Sequence, residues 1–179
     1  YRFLIGKDLI DYPRLLAINI HGSLLPKYRG RAPLIWAILN GEKESGITIH
    51  CIDKGCDTGA ILHQERIMIP PDVTGGEMVT IFSGMYPRLI RKVLMQISTK
   101  SYTLRSQNEQ VATYYGRRRP EDGLICWEWY RDRICNWVRA LAPPYPGAFT
   151  FSDGNKVMIN AVCLSDQGFS DSAPNGIVL

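Results

Sequence analysis

The feature that most constrains this chain is a short apolar run that stops abruptly. Leu15-Leu16-Ala17-Ile18-Asn19-Ile20 gives way to His21-Gly22-Ser23-Leu24-Leu25-Pro26 and then to a basic, glycine-bearing loop. A run of this length and polarity suits a buried parallel strand. Asn19 and His21 stand two apart at its end, so the pleat puts both side chains on one face. Open α/β sheets place ligands at the carboxyl ends of their strands.

The segments that follow extend the α/β reading. Pro33 opens a helical run through Leu39, with proline at a favourable first position, and Asn40-Gly41 closes it. Gly46–Ile52 and Ala60–Ile69 read as strands around the turn Asp53-Lys54-Gly55-Cys56-Asp57-Thr58-Gly59. Thr74 and Glu77 have capping-box spacing. Beyond them Ile81, Met85, Leu89, Val93 and Ile97 recur every four residues, predicting an amphipathic helix to about residue 98. Pro87 lies within it and is expected to kink or break it. Residues 99–123 read as a polar connector with one short strand near Val111–Tyr115. Ile134, Trp137, Val138 and Leu141 form a second helical face, ended by Pro143-Pro144. From Ala148 the chain alternates like strands, with Ser152-Asp153-Gly154-Asn155 as a hairpin turn.

Charge and cysteines exclude several classes. No apolar run approaches the roughly 18 residues of a membrane-spanning helix. The net charge of +4 lies wholly in residues 1–100, which hold 13 basic and 9 acidic side chains against eight of each in residues 101–179. That balance does not supply the concentrated basic face of a nucleic-acid binder. Arg117-Arg118-Arg119 reads as a solvated charge run. Five cysteines form no Cys-x-x-Cys pair, and the three histidines give no zinc spacing, so no metal is expected and reduced thiols suit a cytoplasmic protein. His50, Cys51, Cys56 and His63 lie on strands flanking a turn, where adjacent His50 and Cys51 point to opposite faces.

Imidazole titrates near neutrality and suits proton transfer, and an asparagine amide can donate to an oxygen that becomes negative when a carbonyl is attacked. The histidine still needs a carboxylate to orient it and hold its charge. Asp53 and Asp57 are both available in the turn after the next strand. Taken alone, the same residues are equally compatible with a satisfied polar group and ordinary turn chemistry.

Asn19-Ile20-His21-Gly22-Ser23-Leu24-Leu25-Pro26-Lys27-Tyr28-Arg29-Gly30, followed by Asp53-Lys54-Gly55-Cys56-Asp57-Thr58-Gly59, closely resembles the signature of the formyltetrahydrofolate-dependent formyltransferases. The resemblance implies a doubly wound, Rossmann-like catalytic domain followed by a small OB-like β domain. It implies a catalytic trio of Asn19, His21 and Asp57, with 10-formyltetrahydrofolate as co-substrate and no metal. The loop Ile52, Asp53, Lys54, Gly55 and Cys56 would line the folate pocket, Asp53 with a positional role only. The implied mechanism is direct acyl transfer: His21 takes the amine proton, Asp57 orients His21, and Asn19 with protonated His21 stabilises the oxyanion.

The second half bears on the acceptor. Tyr115-Gly116-Arg117-Arg118-Arg119-Pro120-Glu121-Asp122-Gly123, Trp127, and Ala140-Leu141-Ala142-Pro143-Pro144-Tyr145-Pro146-Gly147-Ala148-Phe149 resemble the linker and second domain of the sugar N-formyltransferases. The likeness is nearest to the branch that formylates UDP-4-amino-4-deoxyarabinose for lipid A modification. A nucleotide-linked amino sugar is therefore the expected acceptor, with Lys27, Arg29 and Arg31 reaching its diphosphate. Methionyl-tRNA formyltransferase is the rival, and a non-catalytic folate- or nucleotide-binding fragment a further alternative. Trp127, Trp129 and Trp137 read as core or interdomain packing. The resemblance divides the chain into 1–98, the later part of the catalytic domain without its first strands; 99–123, a linker; and 124–179, the start of the second domain. The oligomeric state is left open.

Overall fold

In the computed structural model, which describes residues 5–163, the apolar run ends in strand β1 (Ile18–His21), preceded by a short helix α1 (Lys7–Asp11). The loop after β1 contains a two-residue strand β2 (Arg29–Gly30) and leads into helix α2 (Pro33–Leu39). Strands β3 (Glu44–Cys51) and β4 (Ile61–Met68) follow, then the 24-residue helix α3 (Gly75–Ser98). A connector with strand β5 (Tyr114–Tyr115) reaches helix α4 (Arg131–Leu141) and the hairpin β6 (Ala148–Ser152)–β7 (Asn155–Ile159). The end of the expected second domain lies outside the described residues. Among them, no helix is long and apolar enough to cross a membrane.

The main sheet has the order β1-β3-β4, and both pairings are antiparallel. This corrects the expected parallel pairing of the first strand. An apolar run reports burial and not direction, and here β1 is only half-buried until His21. Strand β3 is central and buried on both faces. Ile47 and Ile49 join the hydrophobic core with α2 and α3. On the other face Thr48 Oγ1 donates to the Ser23 carbonyl at 2.6 Å and accepts from Leu25 N and Gln64 Nε2, which rivets the loop after β1 onto the sheet.

Helix α3 begins where the capping box predicts: Thr74 Oγ1 accepts from Glu77 N, and Thr74 N donates to Glu77 Oε2. The helix runs through Pro87 as one element. Ser83, whose carbonyl would have received the missing N–H, is exposed, so water can satisfy it. Leu89, Val93 and Ile97 are buried as expected, whereas Ile81 is exposed and Met78 and Phe82 fill the first turns. Strict four-residue spacing advances about 40° per step on a helix with 3.6 residues per turn, so it cannot hold one face over four steps.

Helix α4 packs on α2 and α3, and β6–β7 turns through Asp153 (φ 49°) and Gly154 (φ 77°), the conformation of a tight two-residue hairpin. The short strand expected near Val111–Tyr115 divides into a 3₁₀ turn, Glu109–Val111, and β5, which pairs in parallel with β2. Aromatic and cationic groups bridge the two halves of the chain. Tyr28 stacks on Tyr115 with ring centroids 4.7 Å apart, and Trp36 tilts against Tyr115 at 5.1 Å. The Arg118 guanidinium lies 4.9 Å from the Trp36 centroid and 4.5 Å from that of Trp137, which meets Trp129 at 4.6 Å. Cation–π contact makes Arg118 an internal spacer instead of the solvated charge its sequence suggests. Burial pushes its guanidinium below its ordinary range.

Candidate active site

Antiparallel pairing brings a fourth polar side chain to the trio. Asn19 is directly opposite His50, and His21 is opposite Thr48, so Asn19, His21, Thr48 and His50 share one face of the sheet. Asp57 reaches that face from the β3–β4 loop. Its Oδ2 lies 3.6 Å from His21 Nδ1 and accepts Gly30 N at 2.8 Å; its Oδ1 lies 3.7 Å from His50 Nε2. The structure therefore brings Asn19, His21 and Asp57 together and adds His50.

Hydrogen bonds fix both imidazoles. His21 Nε2 is 2.8 Å from the Tyr28 carbonyl, which can only accept, so Nε2 carries a proton and Nδ1 is the ring nitrogen turned toward Asp57. His50 Nδ1 is 2.7 Å from the Cys51 carbonyl and must donate there. Its Nε2 is left as a lone pair, which accepts an Asn19 amide N–H at 3.3 Å. Burial pushes the His50 pKa down, with the field of Asp57 acting against it, so His50 is held neutral. A primary amide has two N–H bonds, and binding one to His50 aims the other. In the sequence His50 stands out only beside Cys51, Cys56 and His63, a set without zinc spacing. Its position seven residues before Asp57, on a strand pairing with β1, was the available clue.

The two candidate carboxylates separate cleanly. Asp53 Oδ1 accepts Gly55 N at 3.0 Å and Thr58 Oγ1 at 2.6 Å, shaping the turn, while Asp57 meets the histidines. Gly59 is required for this geometry: a Cβ there would lie 1.9 Å from the Cys51 carbonyl oxygen. Ile52, Asp53, Lys54, Gly55 and Cys56 form the loop leading to Asp57, with Asp53, Lys54 and Cys56 exposed. Partial desolvation of its sulfur against the loop, followed by the Asp57 charge, pushes the Cys56 thiol up although the residue as a whole is exposed.

The basic loop differs from expectation. Lys27 is exposed and Arg31 half-buried, but Arg29 is fully buried. Its guanidinium donates to Gln107 Oε1, both carboxylate oxygens of Glu109, and the Tyr114 hydroxyl. Arg29 is therefore corrected from a diphosphate ligand to a structural group. Contact with Glu109 raises the Arg29 pKa further, and the same contact lowers that of Glu109. An alternating basic loop does not reveal which of its charges turns inward.

Residues 1–94 match the Formyl transferase family, and residues 117–179 match Formyl transferase, C-terminal domain. The chain belongs to the formyl transferase family. Among solved structures it is similar to a 4-N formyltransferase from Francisella tularensis, with 25% identity over 93% of this chain and 69% of that one, at a TM-score of 0.77. It is also similar to an N-formyltransferase from Helicobacter canadensis, solved with folinic acid and dTDP-3-aminofucose, with 29% identity over 79% of this chain and a TM-score of 0.68. The chain spans 52% of the length of that Helicobacter protein. The fold is likewise shared with methionyl-tRNA formyltransferase from Clostridium thermocellum, at 23% identity, 94% coverage of this chain, 71% of that one, and a TM-score of 0.74.

Proposed function

We infer that this chain carries the catalytic site of an N-formyltransferase that moves a formyl group from 10-formyltetrahydrofolate to the amine of a nucleotide-linked amino sugar. The observation that carries this reading is the set Asn19, His21, His50 and Asp57 on one sheet face, with both imidazole tautomers fixed by backbone carbonyls. In the reaction, the acceptor amine gives up a proton and its nitrogen attacks the formyl carbon. Asp57 is more accessible than His21 and meets the incoming ammonium, which loses one proton to solvent to become the neutral amine; as its nitrogen bonds to the formyl carbon, His21 Nδ1 takes the second proton. The carbonyl pair moves onto oxygen, where the free Asn19 N–H receives it. Collapse breaks the bond from carbon to folate N10, and N10 leaves with the proton returned by His21.

The loop from Ile52 to Cys56 would border the pteridine, and exposed Lys27 with Arg31 would face the diphosphate. The neutral second half and the 29% identity to the Helicobacter protein solved with dTDP-3-aminofucose support a nucleotide-linked amino sugar over tRNA, and within that class we propose an acceptor of the UDP-4-amino-4-deoxyarabinose kind. Folate and nucleotide-sugar chemistry with free cysteines suits the cytoplasm. The test is formyl transfer from 10-formyltetrahydrofolate to UDP-, dTDP- and GDP-amino sugars and to methionyl-tRNA. Formylation of a sugar acceptor is expected; formylation of tRNA alone would reverse the choice of acceptor.

A further inference from the structure

The connector between the two family-matched segments supplies a side chain directly beneath Asp57. Gln107 Nε2 donates to the Asp57 carbonyl and to the Gly59 carbonyl, both at 2.8 Å. Its Oε1 accepts from Arg29 Nε at 3.1 Å and Arg29 Nη2 at 2.8 Å. The amide is thus oriented by the buried guanidinium: oxygen toward Arg29, both N–H bonds toward the catalytic loop. Asp57 itself sits at φ 56°, a left-handed conformation that a residue with a side chain adopts only when its surroundings impose it.

Two further ties bind the same connector to the loop after β1. Thr113 Oγ1 accepts Tyr28 N at 2.8 Å, and the Thr113 carbonyl accepts Arg29 N at 2.8 Å. These hold the Tyr28 carbonyl that fixes His21. The carbonyl that orients the histidine and the carboxylate that faces it therefore lie on separate loops, and one outside segment grips both.

We propose that Gln107 is a positioning residue: it holds the backbone at Asp57 so that the carboxylate stands between His21 and His50, with Arg29 setting the orientation of its amide. This rests on the formyl-transfer reading for its kinetic consequence, and on geometry alone for its structural one. Gln107→Glu keeps an acceptor for Arg29 while removing both donors to the loop, so it is the cleaner variant. Gln107→Met removes donors and acceptor together.

Both variants are expected to lower kcat about 10- to 100-fold, the scale of an ångström-sized misplacement, with KM for both substrates within twofold of wild type. In an Asp57→Asn background the Gln107→Glu loss should vanish, because the amide acts through that carboxylate. Independently of activity, the imidazole ¹⁵N signals of His21 and His50 should move in Gln107→Glu, while those of His63, away from Asp57, stay in place. Unmoved His21 and His50 signals, or a Gln107→Glu loss undiminished in the Asp57→Asn background, would overturn the proposal. Absence of formyl transfer by the wild-type protein would count against the proposed function instead, and the histidine spectra would still decide the role of Gln107.

Discussion

Replacing His50 by leucine tests whether a neutral, buried imidazole aims the oxyanion donor. The substitution keeps apolar bulk at a position only 2% exposed and removes two hydrogen bonds, one from Asn19 and one to the Cys51 carbonyl. A buried polar group left without a partner costs about 1–3 kcal/mol, so stability should fall by about that amount. Deleting an oxyanion donor outright costs about 10²- to 10³-fold in kcat. A donor that is present but no longer aimed should cost less, about 2 kcal/mol of activation energy, or about 30-fold at 1.36 kcal/mol per decade. The assay is steady-state release of tetrahydrofolate, compared across wild type, His50→Leu, Asn19→Ala and the double variant. Because His50 acts through Asn19, the double variant should be no slower than Asn19→Ala alone. Independent, multiplicative losses would refute the reasoning, as would wild-type kcat in a folded His50→Leu protein.

Other expectations follow from the same structure. Burial lowers the pKa of both His50 and His63, so the unfolded chain binds more protons than the folded one as pH drops below the ordinary value of 6.5. Thermal stability should accordingly be full above that pH and fall progressively below it, with a shallower fall in His50→Leu. Gly59→Ala should destabilise the protein by about 2 kcal/mol or more, because its Cβ would collide with the Cys51 carbonyl; a melting curve measures this. Thr74→Ala removes the α3 cap and should cost about 1 kcal/mol in chemical denaturation without altering kcat. Lys27→Ala should raise KM for the nucleotide-linked acceptor severalfold while leaving the melting temperature unchanged, measured by acceptor titration.

Local and periodic features were the most legible in sequence. The Thr74/Glu77 cap, the Pro33 start of α2 and the Asp153-Gly154 hairpin each depend on residues a few positions apart. The nearness of Asn19, His21 and Asp57 was legible because β alternation puts the first two on one face and the family signature adds the third. Long-range geometry was hidden. Nothing local to Leu15–Ile20 specifies an antiparallel neighbour, yet that register makes His50 the partner of Asn19. Arg29 carries the same charge as Lys27, and its burial depends on Gln107, Glu109 and Tyr114, some 80 residues later. A four-residue period describes the second half of α3, and the 3.6-residue repeat places its first half on Met78 and Phe82.

The ladder from Tyr28 through Tyr115, Trp36 and Arg118 to Trp137 bears on recombination between relatives. A chimera joined at Ser98 would bring in Gln107, Thr113 and Tyr115 from a foreign parent, although all three serve loops of the first half. A junction after Gly116 keeps them with their own scaffold and leaves Arg118 and the face of α4 that packs on α2 and α3, with Arg139 donating to the Val73 carbonyl, to suit both parents. The portable unit thus ends well beyond its last long helix, and a donor of the second half must reproduce both the guanidinium between two indoles and a helix face that fits α2 and α3.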